Sequence, residues 1–189
     1  MPLEGKTLLL REERAEDQPL LVALRNDLET QAWTMPLPPD YTLPMYMRRF
    51  EAREFSYRRD DARFIIEIRK SGAAAGYITY TALEQRWEAT IGIMVARPFW
   101  GSGTAQEACE VLLEFLFQQL GLRVVRLWTH SGNQRAVTLA AKLGFQVSVR
   151  MRRAGYKDGQ MIDNLMMDLL RVEYYARRSD LVDALPPLG

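Results

Sequence analysis

The sequence predicts an α+β (mixed α/β) fold built as a single domain around one sheet. Three observations carry this. Short segments with strand alternation share the chain with amphipathic helical segments. Strands and helices alternate regularly only in the second half. The 189 residues, 48% hydrophobic and 26% charged, have an ordinary globular composition. A chain this long buries about two-thirds of the surface it exposes when unfolded, so it needs neither disulfide nor metal to fold.

The elements follow in order. Thr7–Glu13 (TLLLREE) predicts a short strand. Glu16–Leu28 predicts a helix, with Leu20, Leu21, Leu24 and Leu28 on one face and acids in the first turn. Residues 33–44 hold four of the nine prolines and predict a loop. Leu43, Tyr46, Met47 and Phe50 recur at helical spacing, and that helix is expected to run through the arginine-rich stretch to Arg59. Arg63–Lys70 and Ala75–Thr81 are rich in β-branched and aromatic residues and predict an antiparallel pair. Glu88–Ala96 is the next strand. Gln106–Leu120 predicts one helix with Ala105, Ala108, Cys109, Leu112 and Leu116 on its stripe. Arg123–Thr129 (RVVRLWT) is nearly continuously apolar, as a strand inside a sheet would be. Asn133–Leu143 is a helix ended by Gly144. Phe145–Arg150 and Asn164–Leu170 are strands around a turn at Lys157-Asp158-Gly159. Residues 1–175 are expected to form the domain, and 176–189 a tail that frays at ALPPLG.

Several function classes are excluded by composition. Lys+Arg number 25 against 24 Asp+Glu, a formal +1 that argues against a nucleic-acid partner. Cys109 and His130 are the only cysteine and histidine, so disulfides and two-His metal motifs are ruled out and no metal is expected. No apolar run approaches the ~20 residues of a membrane helix, and the N-terminal stretch turns acidic at once, so the expectation is a cytoplasmic protein without a membrane partner.

The most informative stretch is MVARPFWGSGTA, Met94–Ala105. An apolar strand runs into a loop with Gly101, Ser102 and Gly103, then straight into a long helix. Glycines let a ligand approach the backbone, and the first helical N–H groups favour an anion there, so a phosphate or pyrophosphate is the natural ligand. A plain glycine-rich strand-to-helix turn is the competing explanation. A Walker loop, GxxxxGK[ST], does not occur. A dinucleotide fingerprint fails as well, since the third glycine is missing and the next strand ends without an acid.

RPFWGSGTAQEA resembles the acetyl-CoA-binding motif of the GNAT superfamily of acyl-CoA N-acyltransferases, [Q/R]-x-x-G-x-[G/A]. Trp100 stands at the Gln/Arg position, Gly103 at the glycine and Ala105 at the last place. The form WGxGxA is typical of the family's RimJ/RimL-like branch. NQRAVTLAAKLGF (Asn133–Phe145) resembles that branch's N-x-x-[SA]…KLGF segment, and YKDGQMIDNLMMDLLRVEY its closing hairpin, with Asp163 four residues after the DG turn. The resemblance covers about Thr7 to Tyr174. It implies a GNAT-like, mostly antiparallel central sheet with flanking helices, in which the fourth and fifth strands (Glu88–Ala96 and Arg123–Thr129) splay apart.

The resemblance also implies roles. The pantetheine arm of acetyl-CoA would lie in the splay along Met94 and Val95. The pyrophosphate would rest on loop amides from Gly101 through Ser102, Gly103 and Thr104 to Ala105. Asn133 would bond the cofactor arm, where an ordinary helix N-cap is the competing explanation. Ser102 stands where a basic residue is often found, leaving Arg97, Arg135 and Lys142 as candidate charges. The branch often carries a glutamate base two residues before the position of Gly92. Thr90 holds that place here and cannot act as a base at neutral pH. Glu88, two residues upstream on the same strand face and about 7 Å away, is the candidate carboxylate, working through water. Glu67 is the next candidate. The tyrosine acid of many family members is replaced by Ala140. His130, in a turn that varies in this branch, and Cys109, on the helix stripe, are expected to be structural. Trp33, Tyr41, Tyr46 and Phe50 fall where the family builds its substrate rim, and the arginines at 48, 49, 53, 58, 59 and 63 interleave with acids as a solvated helix face would.

The expectation is therefore an acetyl-CoA-dependent N-acetyltransferase, monomeric or homodimeric, acting by direct transfer in a ternary complex. Its acceptor is a primary amine: a protein N-terminus, an amino acid, a polyamine or another small amine. The alternative is a non-catalytic acyl-CoA-binding module, motivated by the neutral residues Thr90 and Ala140.

Overall fold

The computed structural model describes residues 2–31, 33, 40–54, 60–84 and 86–178. Residues 34–39 of the predicted loop, the predicted helix end at 55–59 and the tail from 179 lie outside the described residues. In chain order the elements are β1 (Leu3–Glu4), β2 (Leu8–Glu12), α1 (Gln18–Asn26), α2 (Leu43–Glu54), β3 (Ala62–Ile68), β4 (Ala74–Glu84), β5 (Glu88–Val95), α3 (Thr104–Glu114), β6 (Val124–His130), α4 (Gln134–Leu143), β7 (Gln146–Lys157), β8 (Gln160–Leu170) and α5 (Arg171–Ala176). One eight-stranded sheet has the order β1-β2-β3-β4-β5-β6-β8-β7. Every neighbouring pair is antiparallel except β5 and β6, which are parallel.

Each face of the sheet buries a different side chain set, because strand residues alternate in direction. Ile66, Ile78, Ala89, Ile91, Val125 and Leu169 meet the α3 stripe of Ala108, Cys109, Leu112 and Leu113. Ile65 points the other way, toward the α1 side, where Leu21 and Leu24 are buried. The predicted single helix 106–120 is in fact α3 followed by one π turn, Phe115–Gln119. The wider turn lets the consecutive residues Leu116 and Phe117 both be fully buried. Such a bulge leaves no trace in a 3.6-residue period. The strand β1, two residues long, likewise escaped a reading based on periodicity. Helix α1 stops two residues earlier than its leucine spacing suggests, and Leu28 is 66% exposed, because Asp27 leaves the helix to meet Arg97. β7 and β8 extend beyond the predicted strands and turn through Asp158 and Gly159, both with positive φ, as a tight hairpin requires.

The α1 face is pinned to the sheet edge by charge. Arg11 on β2 is almost wholly buried and donates to both Asp17 oxygens, at 2.8 and 2.9 Å, and to Glu67 on β3. Burial alone would raise the Asp17 carboxyl, but hydrogen bonds from Arg11 and from the Arg14 N–H outweigh it and hold it below the ordinary aspartate range. Asp17→Ala leaves Arg11 paired with Glu67 alone and two of its N–H donors without an acceptor. It is therefore expected to lower stability by about 1–3 kcal/mol in urea denaturation at pH 7. Since the folded carboxyl titrates below its ordinary value near 3.8, its contribution is full above that pH and is lost as pH falls below it. The difference in stability between wild type and Asp17→Ala should shrink in that acid range.

Candidate functional site

Parallel pairing between β5 and β6 involves Glu88 with Val124, Ala89 with Val125 and Thr90 with Arg126, and then ends. Beyond it each strand stays paired on its outer side, β5 with β4 as far as Gly76–Val95 and β6 with β8 as far as His130–Asn164. The two strands therefore diverge as a V whose inner backbone edges face a cleft of about 1110 Å³. One wall is Ile91–Val95, the other Leu127, Trp128 and Thr129. Ala105, Gln106 and Cys109 of α3, with residues 133–143 leading into and along α4, close one face.

The loop at the open end of β5 is built by its own side chains. A 3-10 turn spans Arg97–Phe99. The Trp100 indole N–H donates to the Val95 carbonyl at 2.7 Å, and the Arg135 guanidinium lies 4.1 Å from the centre of the Trp100 ring. The Ser102 hydroxyl donates to the Phe99 carbonyl at 2.7 Å and contacts the Thr104 hydroxyl at 2.8 Å. Gly101 and Gly103 have φ of 75° and 87°, a left-handed conformation that glycine adopts without cost. A Cβ at either place would meet nothing within 4 Å, so backbone conformation rather than crowding calls for glycine. Gly103 is the N-cap of α3, whose first amides have no intrahelical partner and point toward the cleft end.

The candidate cofactor residues converge unevenly. Met94, Val95 and Trp100 line the cleft, as do Gly101, Gly103, Ala105 and Asn133. Ser102 and Thr104 do not, since their side chains are spent on the loop. Asn133 is the N-cap of α4, accepting from the Ala136 N–H at 3.3 Å. Of the candidate charges, Arg135 and Lys142 line the cleft, whereas Arg97 is committed to Asp27 and Glu29. Arg97 and the Thr30 hydroxyl hold the Asp27 carboxyl well below the usual range.

Glu88 and Thr90 sit in the paired base of the V rather than along its open walls. The Glu88 carboxylate is ion-paired with Arg126 on β6, and that of Glu67 with Arg11. His130 Nδ1 lies 2.5 Å from the Asn164 side-chain oxygen. Cys109 is buried, and burial pushes its thiol up to about 12. Ala140 is buried against the core. Trp33 lines the cleft; Tyr41 and Tyr46 instead pack edge to face, 5.8 Å apart, with Arg25 over Tyr41. The sequence reading missed Trp128 and the pairing of Arg135 with Trp100. The only local signal for the latter is a cation three residues after Gly132. Among the described residues, no cluster of His, Cys, Asp or Glu is arranged to hold a metal, and no helix is long and apolar enough to cross a membrane.

A mixed sheet with a V between its two parallel strands, entered beside a glycine-capped helix N-terminus, defines a GNAT-type fold. The chain belongs to the GNAT acetyltransferase family, whose acetyltransferase (GNAT) domain model matches residues 7–146. It is 29% identical over 113 residues to the uncharacterized N-acetyltransferase p20 of Bacillus licheniformis, covering 59% of this chain and 64% of that one. The match spans 54–64% of the length of the first curated relatives. Among solved structures, it resembles spermidine N-acetyltransferase from Vibrio cholerae in complex with CoA and spermine, with TM-score 0.79 and 20% identity over 90% of this chain and 99% of that one. It also resembles RimL, a ribosomal L7/L12 alpha-N-protein acetyltransferase in complex with coenzyme A, with TM-score 0.76 and 19% identity over 90% and 98%.

Trp100→Phe keeps a ring beneath Arg135 but leaves the Val95 carbonyl, on a nearly buried residue, without its donor. Water in the cleft that Val95 lines can take the donor's place, so the cost is the net worth of one hydrogen bond, about 0.5–1.5 kcal/mol. A loss in that range should appear in chemical denaturation of the variant.

Proposed function

We propose that this chain is an acetyl-CoA-dependent N-acetyltransferase of the RimJ/RimL-like kind, moving an acetyl group to a primary amine by direct transfer in a ternary complex. The observation that carries this is the V itself: its inner edges offer unpaired strand backbone, and it opens beside the N-terminus of α3. An extended amide-bearing arm ending in a pyrophosphate suits both parts, since strand edges bond amides and a helix N-terminus favours an anion. The pantetheine arm is assigned to Met94 and Val95 and the pyrophosphate to amides of Gly101–Ala105, with Asn133 bonding the arm. Arg135, held over Trp100, takes the charge role that Ser102 lacks. The domain is assigned to residues 1–175, which include the buried rings of Tyr174 and Tyr175.

The chemistry is attack of a neutral amine on the thioester carbonyl. The ammonium loses one proton first; the C–N bond then forms and the C–S bond breaks, and the second proton shed by the new amide nitrogen passes through water to the departing CoA thiolate, giving the free thiol. Thr90 can orient a water but cannot take the proton, so Glu88 is assigned as the acceptor through that water, its carboxylate aimed by Arg126. The same pairing gives substance to the second reading, a non-catalytic acyl-CoA-binding module, because it occupies the candidate carboxylate at the base of the V.

The deciding experiment is free-thiol release from acetyl-CoA across a panel of small amines and N-terminal peptides, alongside acetyl-CoA binding by calorimetry. Turnover on any amine supports the enzyme; tight binding with no thiol release on any supports the module. Arg135→Gln should weaken acetyl-CoA about tenfold and reduce the salt dependence of binding. Glu88→Gln should lower kcat about 10²–10⁴-fold with acetyl-CoA affinity unchanged. Rates within about threefold of wild type, with coincident pH–rate profiles, would make Glu88 a bystander, since that lies well below the general-base range.

A further inference from the structure

Resting on the reading of the cleft as an acyl-CoA slot, we infer that Arg177 is a positioning residue for the cofactor, bracing the far end of α4 from just beyond α5. Helix α4 presents Ala136, Leu139, Ala140 and Leu143 to the cleft, and of its ten residues only Ala140 is buried. A helix on a sheet is ordinarily held along its apolar stripe. Here the cleft lies beneath part of that stripe, so α4 depends on what holds its two ends.

The first end is fixed within the site. Asn133 caps it by accepting from the Ala136 N–H, and Arg135 lies over Trp100. The second end is Gly144, with φ of 100°, whose N–H closes the last turn on the Ala140 and Ala141 carbonyls. The Arg177 side chain lies across this glycine. A Cβ there would stand 2.2 Å from a terminal guanidinium nitrogen and 3.0 Å from Cδ and Cζ. A cation in this place meets the negative end of the α4 dipole, and glycine lets it approach.

The next residue reaches the other helix of the same wall. Arg178 pairs with Glu114, the last residue of α3, at 3.6 Å. Helix α5 supplies a firm support for both, since Tyr174 stacks on Phe117 with ring centres 4.7 Å apart and Tyr175 packs edge to face on Tyr174. Both tyrosines are buried. Consecutive arginines on one support therefore hold α4 and α3, the two helices that close one face of the V. They stand just past the unit assigned to residues 1–175, so that unit alone lacks the brace.

A helix transmits displacement along its length, and ten residues span about 15 Å. Play at Gly144 is thus felt at Asn133 and Arg135. Arg177 is exposed and does not line the cleft, so its effect on a cofactor runs through α4.

Calorimetry with CoA on the full chain, beside urea denaturation, reads the brace without turnover. Arg177→Ala should weaken CoA about 2–30-fold, the range for residues that modulate binding without touching the ligand. Its urea midpoint should stay at the wild-type value, as for other exposed side chains. Arg177→Lys keeps the stem and the charge and should bind closer to wild type than Arg177→Ala does. Gly144→Ala should also weaken CoA, because its Cβ pushes the guanidinium away. In the Arg177→Ala background it should add nothing to that loss, although strain at this φ lowers stability in both backgrounds. The inference is overturned if Arg177→Ala binds CoA within twofold of wild type, if its loss of affinity follows a fallen urea midpoint, or if Gly144→Ala weakens CoA equally in both backgrounds. A folded wild type that binds no CoA overturns the cofactor reading of the cleft, and the inference with it.

Discussion

Parallel pairing between β5 and β6 lasts only from Glu88 to Thr90, and every feature of the cleft depends on where it stops. Two neighbouring strands inside a sheet ordinarily satisfy each other's backbone groups along their length. Here the outer ladders of both strands continue while the inner one ends, so one edge of each strand is left facing open space. That edge is polar and regularly spaced, and it sits inside a domain whose two outer ladders hold it rigid. The protein thus keeps open strand edge in the middle of its sheet rather than at its rim.

A V in a sheet has to be held open and held in register, and arginines do much of this. Arg126 ties Glu88 across the closed base. Arg97 ties the end of β5 to Asp27 and Glu29 beyond α1, and Arg11 ties the start of α1 to the strands beneath it. Helix α1 is therefore fixed at both ends by ion pairs, one buried and one exposed. The buried set fixes geometry at a desolvation cost, and the exposed one contributes little energy yet sets where the α1–α2 connection leaves the helix.

The glycine loop is braced from within and joined by a cation from another part of the chain. Its central residue is Ser102, whose hydroxyl is used to brace the loop. Positive charge arrives instead from α4, where Arg135 lies on the ring of Trp100, while that ring's N–H holds the last carbonyl of β5. One tryptophan couples the strand end, the loop and the cation. Exchange of Arg135 for lysine would not preserve this, because a planar guanidinium stacks where a compact ammonium does not.

The sequence by itself determined the fold class, nearly every helix and strand, and the loop between Val95 and α3, because these rest on local signals: strand alternation, helical stripes, and glycines at positions needing positive φ. The family motifs in WGSGTA and NQRAVTLAAKLGF are local in the same sense. Only the tertiary structure decided what depends on neighbours distant in sequence. It decided that Glu88 faces Arg126 and Glu67 faces Arg11, so that each candidate carboxylate already has a partner. It decided that Asp27 ends α1 before Leu28, that Leu116 and Phe117 share the core through a π turn, and that Trp33 lies across to Gly132, 99 positions later in the chain. Periodicity records how a residue relates to its own element. It carries no term for a charge, a ring or a glycine brought alongside by a different one, and the walls of this cleft are made of such encounters.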